Sequence, residues 1–181
     1  MASVIKKFHL MKNDPVAWVC VTLILGGFLV MFINLGLKPF WADESIAVLP
    51  ARNIHTDLLP TSPFDHDFMP WQLEYGLWDP ATPLYRYAVA AFTAITGFSE
   101  FTTRAFSVIM GLMLTIPFYA LVRKLYDQKT ALLAITFLIT SPTFMIYARE
   151  ARHFTFVACL ALCTLYYLYS VAERRRDNPS P

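Results

Sequence analysis

Two adjacent carboxylates, Asp43 and Glu44, closely follow a long apolar stretch and come just after Trp41. A pair of carboxylates can act as a general base or bind a divalent cation. Near a membrane the low dielectric constant raises the proton affinity of a carboxylate, which helps a base to work near neutral pH. The same two acids could instead begin a helix and complement its dipole. The residues alone leave these two interpretations open.

A second charged group, Arg149, Glu150 and Arg152, lies between two apolar runs. Two guanidinium groups beside one carboxylate suit an anion, because arginine offers phosphate oxygens a fixed fork of donors. The structural alternative is an Arg–Glu pair that joins two helix ends, but the cost of placing charge at a membrane boundary favours a specific function. Arg104 could serve the same anion, whereas Arg86 is expected to extend towards lipid headgroups.

The composition is that of a membrane protein rather than a soluble domain. Of 181 residues, 56% are hydrophobic and only 15% are charged, whereas soluble domains carry about a quarter charged residues. The net charge of +2 gives no reason to expect a nucleic-acid partner. The three cysteines lie in apolar runs and have neither the spacing of a zinc site nor that of a disulfide framework.

Four apolar runs are long enough to cross a hydrocarbon core about 30 Å thick. They predict an all-α integral membrane fold with four transmembrane helices, at about residues 16–37, 101–122, 130–148 and 154–172. Pro117 and Pro142 are expected to kink the helices that contain them. The first run is too long for the apolar core of a signal peptide, and no small-residue cleavage site follows it, so it is interpreted as an uncleaved span.

The loop at residues 38–100 separates the first two predicted spans and collects many of the acidic and aromatic residues. Within it, the apolar segment after Pro83 is too short to cross a bilayer. A proline in the first turn and Gly97 near the end predict a separate interfacial helix at about residues 83–97.

Basic residues cluster at the ends of the predicted spans, and the clusters fix an orientation. Nine of the 15 basic residues fall in three short segments that four spans place on one side: Lys6, Lys7, Lys12, Arg123, Lys124, Lys129, Arg174, Arg175 and Arg176. The positive-inside rule assigns that side to the cytoplasm. We therefore expect a multi-pass protein of the cell (inner) membrane, with both termini cytoplasmic and the acidic loop extracytoplasmic.

Four sequence pieces, in this order, resemble the GT-C glycosyltransferases, specifically the protein-mannosyltransferase and aminoarabinose-transferase branch. The pieces are Trp41-Ala42-Asp43-Glu44, Pro83-Leu84-Tyr85 with the short helix that ends at Gly97-Phe98, Ser99-Glu100-Phe101 with Arg104, and Ser141-Pro142 followed by Tyr147-Ala148-Arg149-Glu150-Ala151-Arg152. Together they span about residues 40–155. Two segments of the loop match the family's interfacial helices: residues 43–59, which Pro50 interrupts, and residues 83–98.

The resemblance implies a donor sugar linked to a polyprenyl phosphate and an active site that faces away from the cytoplasm. In this scheme Asp43 deprotonates or orients the acceptor, and Glu44 supports it. The donor phosphate is bound by three arginines: Arg104, Arg149 and Arg152. Glu150 either orients the arginines or joins Asp43 around a divalent cation. Some relatives use a metal and others do not, so the metal stays open.

Two departures from the family pattern bear on this expectation. Thr82 stands where the aminoarabinose-transferase branch has a lysine before the matching proline. Family members are also much longer, so the resemblance covers only their amino-terminal part. The alternative is a non-catalytic four-span subunit, or a truncated fragment, that binds lipid-linked sugar or scaffolds a larger transferase. The expected partners are a polyprenyl-phosphate-linked sugar, the lipid bilayer and, under that alternative, a further membrane subunit.

Overall fold

The computed structural model describes residues 15–61 and 81–177. Seven helices make up the regular structure of these two ranges: α1 (Pro15–Phe32), α2 (Ala42–Asp57), α3 (Pro83–Thr96), α4 (Glu100–Leu125), α5 (Gln128–Thr140), α6 (Pro142–Arg149) and α7 (Phe154–Asp177). The expectation of an all-α fold is confirmed for this part of the chain. The positively charged start of the chain and part of the acidic loop lie outside the described residues.

Two helices, α4 and α7, are long and apolar enough to cross a membrane, with mean hydropathies of 2.1 and 1.8 over their most apolar segments. Helices α5 and α6 are long and apolar enough to cross a membrane only when they are taken together as one span. They meet at a bend of 63°. The described part of α1 is a shorter apolar helix, Trp18–Phe32. The described residues therefore support two or three of the four predicted spans.

The bend between α5 and α6 lies where the sequence places a proline. Ser141 has an extended backbone, with φ −66° and ψ 122°, and Pro142 begins α6. Proline has no backbone N–H to continue the hydrogen-bond ladder of α5, and it disfavours the helical conformation at the preceding residue. Pro117 does not interrupt its helix, because α4 runs through it without a break.

Helix α1 ends earlier than the first predicted span, at Phe32 instead of residue 37. Asn34 has a positive φ of 57°, in the left-handed region that asparagine tolerates better than most residues. The residues after Phe32 form turns, so their carbonyl groups are free to accept hydrogen bonds from side chains elsewhere in the chain. This non-helical stretch, residues 33–39, is called the α1–α2 connector below.

Helix α3 packs against both α2 and α4, and side chains of the three helices share one core. Their shared core contains Val48 and Ala51 from α2, Tyr85 and Val89 from α3, and Phe106 from α4. The helix expected at about residues 83–97 is present as α3. Helix α2 is continuous through Pro50, which was expected to interrupt it.

Arg86 does not extend towards lipid headgroups, as the sequence led us to expect. Its side chain is 1% exposed, and Nη2 donates a hydrogen bond to the Ile46 carbonyl oxygen at 3.2 Å. The guanidinium therefore ties α3 to α2 inside the protein. A buried arginine is tolerated there because a backbone carbonyl is available to accept from it.

A second hydrophobic cluster joins α1, α4, α5 and α6. Phe28 and Met31 of α1 pack with Val108 of α4 and Ile139 of α5. The two helices α1 and α5 approach closely at Gly27, where an added Cβ would lie 2.3 Å from Ile139 Cγ2. Leu35 of the connector and Ala148 near the end of α6 belong to this cluster, so the cluster reaches the segments that carry the candidate site.

Candidate functional site

A buried ion pair joins Glu44 on α2 to Arg104 on α4. Arg104 Nε donates to Glu44 Oε1 at 2.9 Å, and Nη2 donates to Oε2 at 2.6 Å. Glu44 is 1% exposed and Arg104 7% exposed. The two parallel hydrogen bonds are the bidentate geometry in which an Arg–carboxylate pair is strongest.

The rest of the Arg104 guanidinium binds the α1–α2 connector. Nη1 donates to the carbonyl oxygens of Leu35 at 2.9 Å and Lys38 at 2.8 Å, and Nη2 also donates to that of Pro39 at 3.1 Å. With the two bonds to Glu44, all five N–H groups of the guanidinium have acceptors. Arg104 is thus fully occupied in holding the end of α1 and the start of α2 against α4.

Glu44 also reaches the second charged segment of the sequence. Its Oε1 accepts a hydrogen bond from the backbone N–H of Ala151 at 2.8 Å, and its Oε2 accepts one from that of Trp41 at 3.4 Å. Burial raises the pKa of the Glu44 carboxyl, but the hydrogen bonds from Arg104, Ala151 and Trp41 outweigh burial and hold the pKa below its usual range. Glu44 is therefore an ionised structural centre between two segments that lie far apart in sequence.

Asp43 forms the second link between the same two segments, but at the surface. Arg152 Nη1 donates to Asp43 Oδ2 at 2.9 Å, and the two side chains are 24% and 45% exposed. The Arg152 guanidinium also lies over two rings, with its Cζ 5.7 Å from the Trp41 centroid and 4.5 Å from the Phe154 centroid. These cation–π contacts hold the guanidinium in place and leave part of the Asp43 carboxylate open to solvent.

A cleft of about 800 Å³ opens beside these two pairs, between the connector and α6. One part of its wall is apolar and consists of Leu35, Leu37, Pro142, Met145 and Ile146. The other part carries polar or charged groups from Asn34, Lys38, Trp41, Glu44, Arg104, Arg149 and Glu150. The cleft therefore offers a mixed surface that suits a molecule with one apolar and one charged end.

Arg149 and Glu150 lie at the end of α6 on the cleft wall. Arg149 Nη2 donates to the Ile33 carbonyl oxygen at 2.8 Å. Glu150 Oε2 is buried and has no hydrogen-bond partner among the described residues. Burial raises the pKa of the Glu150 carboxyl; Arg152 opposes this effect, and the nearby carboxylates of Glu44 and Asp43 add to it. Glu150 is therefore the least stabilised carboxylate of the site.

The described residues contain no group of three or more His, Cys, Asp or Glu side chains arranged to hold a metal ion. Asp43 and Glu150 lie on the same side of the site, and the cation beside both of them is Arg152.

The structure brings all six predicted site residues to one end of the helix bundle, but in two different environments. Glu44 and Arg104 are buried, bonded to each other and part of the cleft wall, which Arg149 and Glu150 also line. Asp43 and Arg152 form a separate, partly exposed pair next to them. Sequence reasoning missed Lys38 and the connector carbonyls. An arginine at the start of an apolar helix needs buried acceptors, and this signal could have indicated them.

The described residues form a helical bundle with carboxylates and arginines at an amphipathic cleft. The family model described as dolichyl-phosphate-mannose-protein mannosyltransferase matches residues 80–179, more than half of the chain. The chain belongs to this family. No curated protein and no solved structure shows significant similarity to it. The match includes Arg104, Arg149, Glu150 and Arg152, and it does not support the further membrane subunit expected under the alternative.

Proposed function

We propose that this chain is a glycosyltransferase module that transfers a sugar from a polyprenyl-phosphate donor to an acceptor on the extracytoplasmic side of the membrane. The family description names a dolichyl-phosphate-linked mannose, which is a donor of this class. The observation that carries the proposal is the half-exposed Asp43 carboxylate, bonded to Arg152 at 2.9 Å. Its chain neighbour Glu44 lines the amphipathic cleft.

In the proposed reaction Asp43 is the base. The acceptor hydroxyl or amine gives its proton to the Asp43 carboxylate and attacks the anomeric carbon from the face opposite the phosphate. The new bond forms as the bond from the anomeric carbon to the phosphate oxygen breaks, and its electron pair leaves with the phosphate. The configuration at the anomeric carbon is inverted. The half-exposed position of Asp43 supports this role, because an acceptor can reach it from solvent.

The departing phosphate needs compensation of its negative charge more than it needs a proton. Arg149 and Arg152 are the proposed source of that charge, since both guanidinium groups retain donors that no described residue occupies. Glu44 and Arg104 act as positioning residues, because they hold the start of α2 and Ala151 in a fixed relation. Glu150 interacts with Arg152 through its charge, and no step of this scheme requires a metal.

The proposed orientation follows from charge. Four spans, with both termini in the cytoplasm, place the basic ends of α4 and α7 inside and the cleft outside. Helix α3 then lies along the outer surface of the membrane. Its exposed side supports this placement because it carries the apolar residues Leu84, Tyr87 and Ile95, with exposed fractions of 63%, 41% and 90%.

The test is a transfer assay on the purified protein in proteoliposomes. A radiolabelled polyprenyl-phosphate mannose serves as donor and a membrane extract as the source of acceptors. Asp43→Asn is expected to lower the transfer rate by a factor of about 10² to 10⁴, the usual contribution of a general base. Asp57→Asn is the matched control, since Asp57 lies exposed at the other end of the same helix.

Equal rates for Asp43→Asn and Asp57→Asn would remove Asp43 from the mechanism. Donor binding by the wild-type protein without any transfer would contradict the proposed activity and favour the non-catalytic alternative. Loss of activity in both variants, with unfolding of both, is not expected, because neither carboxylate is buried.

A further inference from the structure

Three cationic side chains line the cleft: Lys38, Arg104 and Arg149. Arg104 already has all five of its N–H groups bonded to Glu44 and to connector carbonyls. A new anion could bind to it only if one of these buried acceptors lost its donor, and a buried acceptor without a donor is costly. The cations that can accept an anionic ligand in the cleft are therefore Lys38 and Arg149.

The backbone of Lys38 is held in place, and its side chain is exposed. Its carbonyl oxygen accepts from Arg104 Nη1 at 2.8 Å, so the position of its Cα is set by the buried pair. The side chain is exposed, and its ammonium makes no hydrogen bond or ion pair with any residue in the two described ranges. A lysine ammonium carries three donors on a flexible stem and binds phosphate as a point charge.

Arg149 approaches the cleft from the opposite wall, at the end of α6. One of its N–H groups is bonded to the Ile33 carbonyl oxygen at 2.8 Å, which anchors the guanidinium and leaves other donors. Lys38 thus lies in the connector, and Arg149 of α6 is bonded to the connector.

The remaining charges of the cleft favour an anion. The negative charge of Glu44 is matched by Arg104, and burial of Glu150 disfavours its ionised form. Beside the two cations, Leu37, Met145 and Ile146 present apolar side chains. A ligand with a phosphate group at one end and a hydrocarbon chain at the other satisfies both parts of this wall.

We propose that Lys38 and Arg149, and not Arg104, bind the phosphate of an amphiphilic phosphate ligand in this cleft, with Lys38 as a phosphate-binding residue. This inference rests on the proposed function, because it assigns the donor phosphate to a place within the same site. Arg152 remains next to Asp43, where it stabilises charge during transfer.

The experiment measures binding of farnesyl phosphate to the full chain in phosphatidylcholine nanodiscs. Lys38→Gln is expected to weaken binding about ten- to a hundredfold, the loss expected for one hydrogen bond to a charged group. Lys38→Arg is expected to restore binding to within about twofold, since it keeps the charge. Arg174→Gln, at the other end of the bundle, is the control and is expected to bind as the wild type does.

Competition identifies the source of the phosphate. Displacement of farnesyl phosphate by inorganic phosphate would show that a free phosphate occupies the site, and displacement by phosphatidylglycerol would show that a bilayer headgroup does. In both cases loss of binding in Lys38→Gln supports the phosphate site. Wild-type affinity in Lys38→Gln would overturn it. If Lys38→Gln bound as tightly as the wild type and transfer still depended on Asp43, the proposed function would stand without the phosphate site. If Lys38→Gln lost binding and the wild type showed no transfer, the phosphate site would stand and only the proposed function would fail.

Discussion

Asp43 and Glu44 are neighbours on the first turn of α2, yet their carboxylates have opposite environments. Glu44 is buried, accepts four hydrogen bonds and faces Arg104. Asp43 is about half exposed and has one described partner, Arg152. Successive side chains on a helix point about 100° apart, so one carboxylate faces the interior of the bundle and the other faces the surface. The comparison separates a residue that holds the site together from one that is available for chemistry.

The same division applies to the two arginines that pair with these acids. All five N–H groups of the Arg104 guanidinium donate hydrogen bonds within the protein. The Arg152 guanidinium donates one hydrogen bond to Asp43 and otherwise lies between aromatic rings. Breaking a buried pair leaves an uncompensated charge in the interior and costs several kcal/mol. An exposed pair contributes about 0–1 kcal/mol. Substitutions in the buried Glu44–Arg104 pair are therefore expected to lower stability much more than substitutions in the exposed Asp43–Arg152 pair.

Arg104→Lys and Arg152→Lys give the largest expected contrast in stability. Lysine keeps the charge but cannot serve the five acceptors around Arg104, so Arg104→Lys is expected to cost about 3–5 kcal/mol. For a chain of this size that corresponds to a fall in Tm of about 6–20 °C. Arg152→Lys is expected to cost less than about 1 kcal/mol. Thermal unfolding in one detergent measures both, and equal Tm values would refute the division into a buried and an exposed pair.

The pH dependence of unfolding gives a second contrast. The folded-state pKa of Glu44 lies below its ordinary value, so its contribution to stability is complete above about pH 4.3, the ordinary value, and is lost as the pH falls through the folded pKa. The Tm of the wild type is therefore expected to exceed that of Glu44→Gln at pH 7, and the difference is expected to shrink below about pH 4.3. A difference that stays constant down to pH 3 would contradict the lowered pKa.

Glu150→Gln is expected to raise the Tm at pH 7, whereas Glu44→Gln is expected to lower it. The change for Glu150→Gln is the smallest that we expect. Burial raises the pKa of Glu150, so its ionisation destabilises the folded state increasingly as the pH rises above about 4.3, until the folded-state pKa is passed. Removing the charge should raise the Tm at pH 7 by about 1–3 °C. At pH 3, where the carboxyl is protonated in both states, the variant and the wild type should unfold together. A lower Tm for the variant at pH 7 would show that Glu150 is stabilised by a partner.

Much of the helical framework could be predicted from sequence, because apolar runs and helix-terminating residues are local signals. Helix α3 begins at Pro83 and ends just before Gly97, which has the positive φ of 80° that glycine permits. The bend at Pro142 follows from the missing N–H of proline. The early end of α1 could not be read from hydropathy, since residues 33–37 are uncharged. It depends on Arg104, which needs connector carbonyls that no helix hydrogen bond occupies.

The identity of the site residues could be predicted in part, but their pairing could not. The sequence places the acids and arginines at the ends of apolar runs, which brings them to one end of the bundle. It does not reveal that Glu44 takes Arg104 and that Asp43 takes Arg152, because these partners are 60 and 109 residues apart. The pairing is decided by which face of α2 packs against α4, and this depends on the whole core. Arg86 shows the same limit, since its burial follows from the packing of α3 on α2.

The central claim is that Asp43 performs chemistry and Glu44 maintains structure. The most direct measurement compares Asp43→Asn with Glu44→Gln in one proteoliposome preparation, with the transfer rate expressed per folded molecule and the Tm recorded for each. We expect Asp43→Asn to keep a Tm close to that of the wild type and to lose about 10² to 10⁴ in rate. Glu44→Gln should unfold about 6–20 °C lower and lose less than about tenfold in rate. A stable, inactive Glu44→Gln beside an active Asp43→Asn would reverse the two roles and contradict the account.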